Sequence, residues 1–107
     1  MNNLELQDLY GKSNHEVAAE LGDRFRKYRI ALRLTQKDVA EKSGISVITL
    51  GRFEGGHASS ISLAHFIALL RVIGQMERIV EAIPEIPDSL YKKPQSARRV
   101  RRKKNEE

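Results

Sequence analysis

The chain of 107 residues contains no cysteine, which excludes a disulfide framework and any thiolate-held metal. Long apolar runs are also missing. The longest, "LAHFIALLRVIG", is interrupted by His65 and Arg71 and falls short of the roughly 20 apolar residues that a bilayer-spanning helix needs. The opening residues, "MNNLELQDLYGK", have neither the basic start nor the unbroken apolar stretch of a secretory leader. These absences predict a soluble cytoplasmic protein without membrane contact. No stretch alternates apolar and polar residues for long enough to build a sheet. No two of His15, His57 and His65 have the spacing of a metal site. A nucleophile elbow and a phosphate-binding loop are absent as well, so we expect no catalytic residue, no metal, no cofactor and no enzymatic activity.

Charge is plentiful but unevenly placed. Residues 91–107, "YKKPQSARRVRRKKNEE", hold eight Lys/Arg against two Glu and carry +6, whereas residues 1–90 carry −1. The basic character is therefore mostly a property of the tail, which has too little apolar content to collapse and is expected to be disordered. A charge run of this kind is often only a solubilising end; it could also track phosphates, or serve as a handle for another protein. The body keeps a local cationic cluster of Arg24, Arg26, Lys27, Arg29, Arg33 and Lys37.

Helix start and stop signals divide the body into five short helices. Ser13 and Glu16 have capping-box spacing, and Val17, Leu21, Phe25, Tyr28 and Leu32 then recur at helical intervals, so a helix is predicted over about 14–33. Thr35 caps a second helix, "QKDVAEKS", which should bury Val39 and Ala40 and end at Gly44. Ser46 caps a third, "VITLGRFE", with Leu50 and Phe53 inward. After the loop "GGHASSI", Ser62 caps a fourth that stops at Gly74. On it Leu63, Phe66, Ile67 and Leu70 are assigned to the core, while Leu69, Val72 and Ile73 offer either a dimer contact or simply more core. The fifth, "QMERIVEAI", places Met76, Ile79, Val80 and Ile83 on one stripe and stops at Pro84. Residues 85–107 are read as extended and then disordered. Leu6, Leu9 and Tyr10 could line one helical turn, or residues 1–12 could form an extended arm. The whole is an all-α bundle.

Two helices of about eight residues joined by a tight Gly-containing turn have helix-turn-helix spacing. Residues 21–56, "LGDRFRKYRIALRLTQKDVAEKSGISVITLGRFEGG", followed by an apolar helix ending "LLRVIG", resemble the XRE-type helix-turn-helix family, that of the phage lambda repressor and Cro. The marks are Leu34-Thr35-Gln36, Val39-Ala40, Gly44-Ile45-Ser46, Thr49-Leu50 and Phe53-Glu54-Gly55-Gly56 in one register. The resemblance covers about residues 21–74 and implies a lambda-repressor-like DNA-binding domain, whose bounds the helix signals extend to residues 13–84. It also implies that Gln36 contacts a phosphate and supports the reading helix, that Arg29 pairs with Glu54, and that Val47, Ile48, Gly51 and Arg52 face bases. Ser46 and Thr49 suit phosphate contacts. Thr35 and Lys37, which flank Gln36, join the DNA-binding set. So does Arg33, which stands where the family commonly has glycine.

Side-chain chemistry bears on these roles. Arg52 could bond guanine twice or merely hold a phosphate. Val47 and Ile48 could pack on the first helix or touch thymine methyl groups. Gly51 lies mid-helix at a cost of roughly 1 kcal/mol relative to Ala, which either close backbone approach or a lost base contact would explain. The expected function is a sequence-specific transcriptional regulator, a homodimeric repressor bound to double-stranded operator DNA. The alternative is a HipB-type antitoxin that represses its own operon and also binds a toxin kinase, since residues 62–87 are similar to regulators of that kind.

Overall fold

A computed structural model describes residues 6–57 and 61–91. Among them there is no strand, and the expected all-α architecture is what the chain adopts. The helices are α1 (Leu6–Leu9), α2 (Asn14–Ala31), α3 (Gln36–Ser43), α4 (Val47–Glu54) and α5 (Leu63–Val72), then a 3₁₀ turn at Met76–Arg78, α6 (Ile79–Ala82) and α7 (Asp88–Tyr91). The described residues divide into two units, one ending at Met76 and the other beginning at Glu77, a boundary inside the predicted 13–84 domain. No described helix is long and apolar enough to cross a membrane.

Side-chain caps open each main helix of the first unit. Glu16 N–H donates to Ser13 Oγ at 3.0 Å and Ser13 N–H returns a bond to Glu16 Oε1 at 2.8 Å. Thr35 and Asp38 repeat this box at the start of α3, both bonds being 2.9 Å. The sequence reading saw the Thr35 cap and missed its reciprocal partner, although Thr35-x-x-Asp38 has the Ser13-x-x-Glu16 spacing. In both boxes the amide bonded to the carboxylate holds Glu16 and Asp38 below their ordinary pKa. A depressed carboxyl stabilises the folded state above its ordinary value, and that contribution is lost as pH falls through the lowered one, so acid loosens both helix starts.

Three helix ends share one design. After α4 and α5, Gly56 and Gly74 take positive φ of 97° and 75°. In each case their amides and the next ones bond back into the last turn, Gly56 to Phe53 and His57 to Arg52, Gly74 to Arg71 and Gln75 to Leu70. This is the Schellman arrangement. After α2 the same bonds run from Arg33 to Ile30 and from Leu34 to Arg29, with Arg33 at φ 62°. The helix therefore ends at Ala31 rather than near residue 33. A Cβ in the left-handed region costs roughly 1–2 kcal/mol. Arg33→Gly is accordingly expected to raise stability by about 1 kcal/mol, read as a higher Tm; an unchanged or lower Tm would contradict the strain.

The core of the first unit is Phe25, Val39, Ile45, Leu50, Phe53, Leu69 and Ile73, with Leu34, Ile61, Phe66, Leu70 and Val72 packed against it. Phe53 sits between Phe25 and Phe66, with ring centroids 5.9 Å and 6.2 Å away. The tilted and edge-on arrangements are the ones aromatic pairs favour. α4 packs on both α2 and α3, and α3 packs on α5.

Several expectations are corrected. On α2, Leu21, Tyr28 and Leu32 are exposed and Val17 is half-buried; the buried line is Gly22, Phe25 and Arg29. A glycine and an arginine are invisible to a search for apolar periodicity, and together they turn the helix. On α3, Ala40 is only half-buried. On α5, Leu63 is 74% exposed, whereas Leu69 and Ile73 belong to the core. The core register runs through residues 66, 69, 70 and 73, so Leu63 at the helix start overshoots it. Leu69 and Ile73 are thereby lost as dimer contacts.

The predicted fifth helix is a 3₁₀ turn followed by one α turn, with Val80 and Ile83 exposed. Pro84 forces Ile83 out of the helical region to φ −138°, ψ 89°. Beyond it, residues expected to be extended include the single turn α7, begun by a bond from Leu90 N–H to Pro87 O at 2.9 Å. At the other end, of the two readings for residues 1–12, the helical turn is the one found over Leu6–Leu9, with Tyr10 almost wholly exposed. The expected disorder of the basic tail falls on residues 92–107, outside the described residues.

Candidate functional site

α4 has eight residues, too few to stay helical alone. Ser46 starts it: its Oγ accepts from Thr49 N–H at 3.0 Å and donates to Thr49 Oγ1 at 3.0 Å. The two hydroxyls are thus within hydrogen-bond distance of each other, and either can rotate to offer its hydrogen outward. The inner face of α4 is Leu50, Phe53 and Glu54, all buried. Val47 (43%) and Ile48 (71%) are exposed on the other side with Arg52, and Gly51 is half-buried among them. At 100° per residue Ile48 and Arg52 point directly away from the buried side, whereas Val47, one turn before Leu50, lies at its border, as its lower exposure shows.

Glu54 is an odd residue to find buried at the C-terminal end of a helix, where the dipole disfavours negative charge. Three donors offset this. Arg29 Nε meets Glu54 Oε2 at 2.7 Å, Arg29 Nη2 meets Oε1 at 2.9 Å, and Gln36 Nε2 meets Oε1 at 3.1 Å. The bidentate fork fixes direction as well as distance. Hydrogen bonding by Glu54 raises the Arg29 pKa above its already high ordinary value, so the guanidinium stays charged. Arg29 Nη1 also donates to Leu34 O at 2.9 Å, while Leu34 N–H returns to Arg29 O at 3.0 Å. One arginine therefore ties the end of α2, the approach to α3 and the end of α4 together.

Gly22 completes the brace. A Cβ built there would lie 1.9 Å from Phe53 O and 2.9 Å from Phe53 C, so α2 and the last turn of α4 touch backbone to backbone. Sequence reasoning missed this contact; the only signal was a glycine inside a long helical pattern, where it costs about 1 kcal/mol unless packing requires it.

The sequence-predicted residues sort into two groups. Arg33, Thr35, Lys37, Ser46, Val47, Ile48 and Arg52 are exposed, and Thr49 and Gly51 are half-buried. Gln36 is half-buried with its amide turned inward onto Glu54. The pairing of Arg29 with Glu54 is present; the Gln36 bond to the same carboxylate was not foreseen in the reading. What results is an eight-residue ridge, rigid on its inner side, presenting two aliphatic side chains, a bare backbone position and a guanidinium on its outer side. The dimensions suit the major groove of B-DNA, which admits one α-helix.

Among known protein families, the one described as a helix-turn-helix domain matches residues 20–82. No curated protein matches the chain.

Proposed function

The chain belongs to the helix-turn-helix domain family over residues 20–82, and on that premise we propose that it is a sequence-specific transcriptional repressor that reads an operator with α4 and acts as a homodimer. The observation that carries this reading is the division of α4. Its inner face is locked by Arg29, Gln36 and Glu54, and its outer face is left to solvent. A rigid ridge with exposed side chains meets base edges without reorganising first. Arg33, Lys37 and Arg52 are exposed cations, suited to phosphate oxygens or, for Arg52 on α4 itself, to the O6 and N7 of guanine. Thr35 and Thr49 add hydroxyls for the backbone. Two copies would place α4 in major grooves about 34 Å apart, on a near-palindromic site.

Arg52→Ala tests the base-reading role. With a duplex selected from random DNA, the substitution is expected to weaken binding by about 1–3 kcal/mol and to relax preference at one base pair. An unchanged affinity and footprint would remove Arg52 from the reading set.

Self-association has support in the second unit. Val80, Ile83, Ile86 and Leu90 are each more than half exposed over a short span, apolar side chains that a second copy could cover. Sedimentation of the purified chain should show a dimer at micromolar concentration. A monomer throughout would contradict the homodimer; co-purification with a large partner protein would instead favour the antitoxin alternative.

A further inference from the structure

The outer face of α4 is unusual in what it offers a base. Val47 and Ile48 have neither donor nor acceptor and Gly51 has no side chain, so among these four residues Arg52 alone carries hydrogen-bonding groups, with the half-buried Thr49 hydroxyl at the edge of the face. Ile48 is the most exposed residue of the ridge whose burial is quantified, at 71%. A β-branched residue so exposed contributes little to the body, since the core side of the helix is filled by Leu50 and Phe53. At Gly51 the nearest atom to a built Cβ is Gln36 Nε2, 4.0 Å away. The protein itself therefore leaves room for a side chain there, and packing does not explain the glycine. What the bare position does is lower the ridge between Val47 and Ile48, letting the helix backbone come close to whatever it meets.

In the major groove the one apolar feature of the base edges is the C5-methyl group of thymine; 5-methylcytosine presents the same group on a different pair. We infer that α4 specifies its site chiefly by pyrimidine C5-methyl groups packed against Val47 and Ile48 across the low saddle at Gly51, with Arg52 the sole side chain of this face reading by hydrogen bonds. This rests on the DNA-reading role proposed above.

The test uses the full chain and a duplex selected from random DNA, with each thymine replaced in turn by uracil, which removes only the methyl group. Uracil at one or more positions should lower affinity about fourfold for each methyl group lost. Ile48→Ala should bind the parent duplex more weakly and become indifferent to uracil at one of those positions. An unchanged melting temperature would show that the exposed side chain acts on the ligand and not on the fold. Placing 5-methylcytosine or cytosine opposite guanine at that step separates the two sources of the methyl group; the methylated pair should bind better by a similar factor, and equal binding would overturn methyl reading. Tight binding that tolerates uracil at every position overturns this inference and leaves the DNA-reading role intact. Failure to bind any duplex at low salt overturns both.

Discussion

Glu54→Ala is expected to lower the stability of the first unit by about 3–5 kcal/mol, the usual cost of removing one partner from a buried ion pair. Arg29 Nε and Nη2 lose both acceptors and Gln36 Nε2 loses its one recorded acceptor, and the guanidinium remains charged inside the body. A domain of this size has a total stability near the lower end of roughly 5–15 kcal/mol, so the loss approaches the whole. In a thermal melt the shift should exceed about 10 °C. Replacing the pair together, Arg29→Met with Glu54→Leu, should recover much of the loss, because apolar side chains of similar volume do not leave a stranded charge. A single variant that melts with the parent would show that Glu54 contributes nothing to holding α4. A double variant no better than the single one would place the loss in shape rather than in charge.

Gly22→Ala should also be severe, for a different reason. In most helix interiors this change is favourable by about 1 kcal/mol. Here the added carbon lands 1.9 Å from Phe53 O, well inside contact distance, and the atom it strikes is backbone. That carbonyl also accepts the Gly56 N–H at 3.1 Å, and Glu54 beside it is pinned by Arg29. The last turn of α4 therefore has little freedom to retreat. Overpacking of this kind costs about 1–3 kcal/mol or more, which outweighs the gain in helix propensity. The measurement is a denaturant melt of the variant beside a propensity control, Gly51→Ala, which has open space for its Cβ. The control should be the more stable of the two by about 1–3 kcal/mol or more, the overpacking cost that it escapes. Equal midpoints would mean that α2 does not approach α4 as closely as described.

The caps and stops were the most legible part of the fold. Ser13, Thr35, Ser46 and Ser62 all open helices, and Gly44 and Gly74 close them, because each signal is local and involves residues three or four apart. The burial pattern was less legible. Leu21, Tyr28 and Leu32 satisfy the helical period yet face water, whereas the true contact line includes Gly22 and Arg29. Periodicity reports which residues share a face; it does not say which face a neighbouring helix takes when a glycine permits close approach. The same limit misassigned Leu63 and left Leu69 open between core and dimer contact, where the structure places it in the core. The Arg29–Glu54 pair lies 25 residues apart in sequence and no spacing rule reaches it; it was implied only by resemblance to a family. Arg33 illustrates the reverse case. Its departure from glycine was noticed in the sequence, but its positive φ follows from bonds to Ile30 and Arg29 that only the folded chain contains.

The segregation of α4 into a cemented side and a bare side has a corollary. Positions 47, 48, 51 and 52 can be exchanged with little disturbance to Leu50, Phe53 or Glu54. Under the DNA-reading role proposed above, a few substitutions at these positions would change the preferred site while leaving the packed side of the helix, and with it the fold, in place.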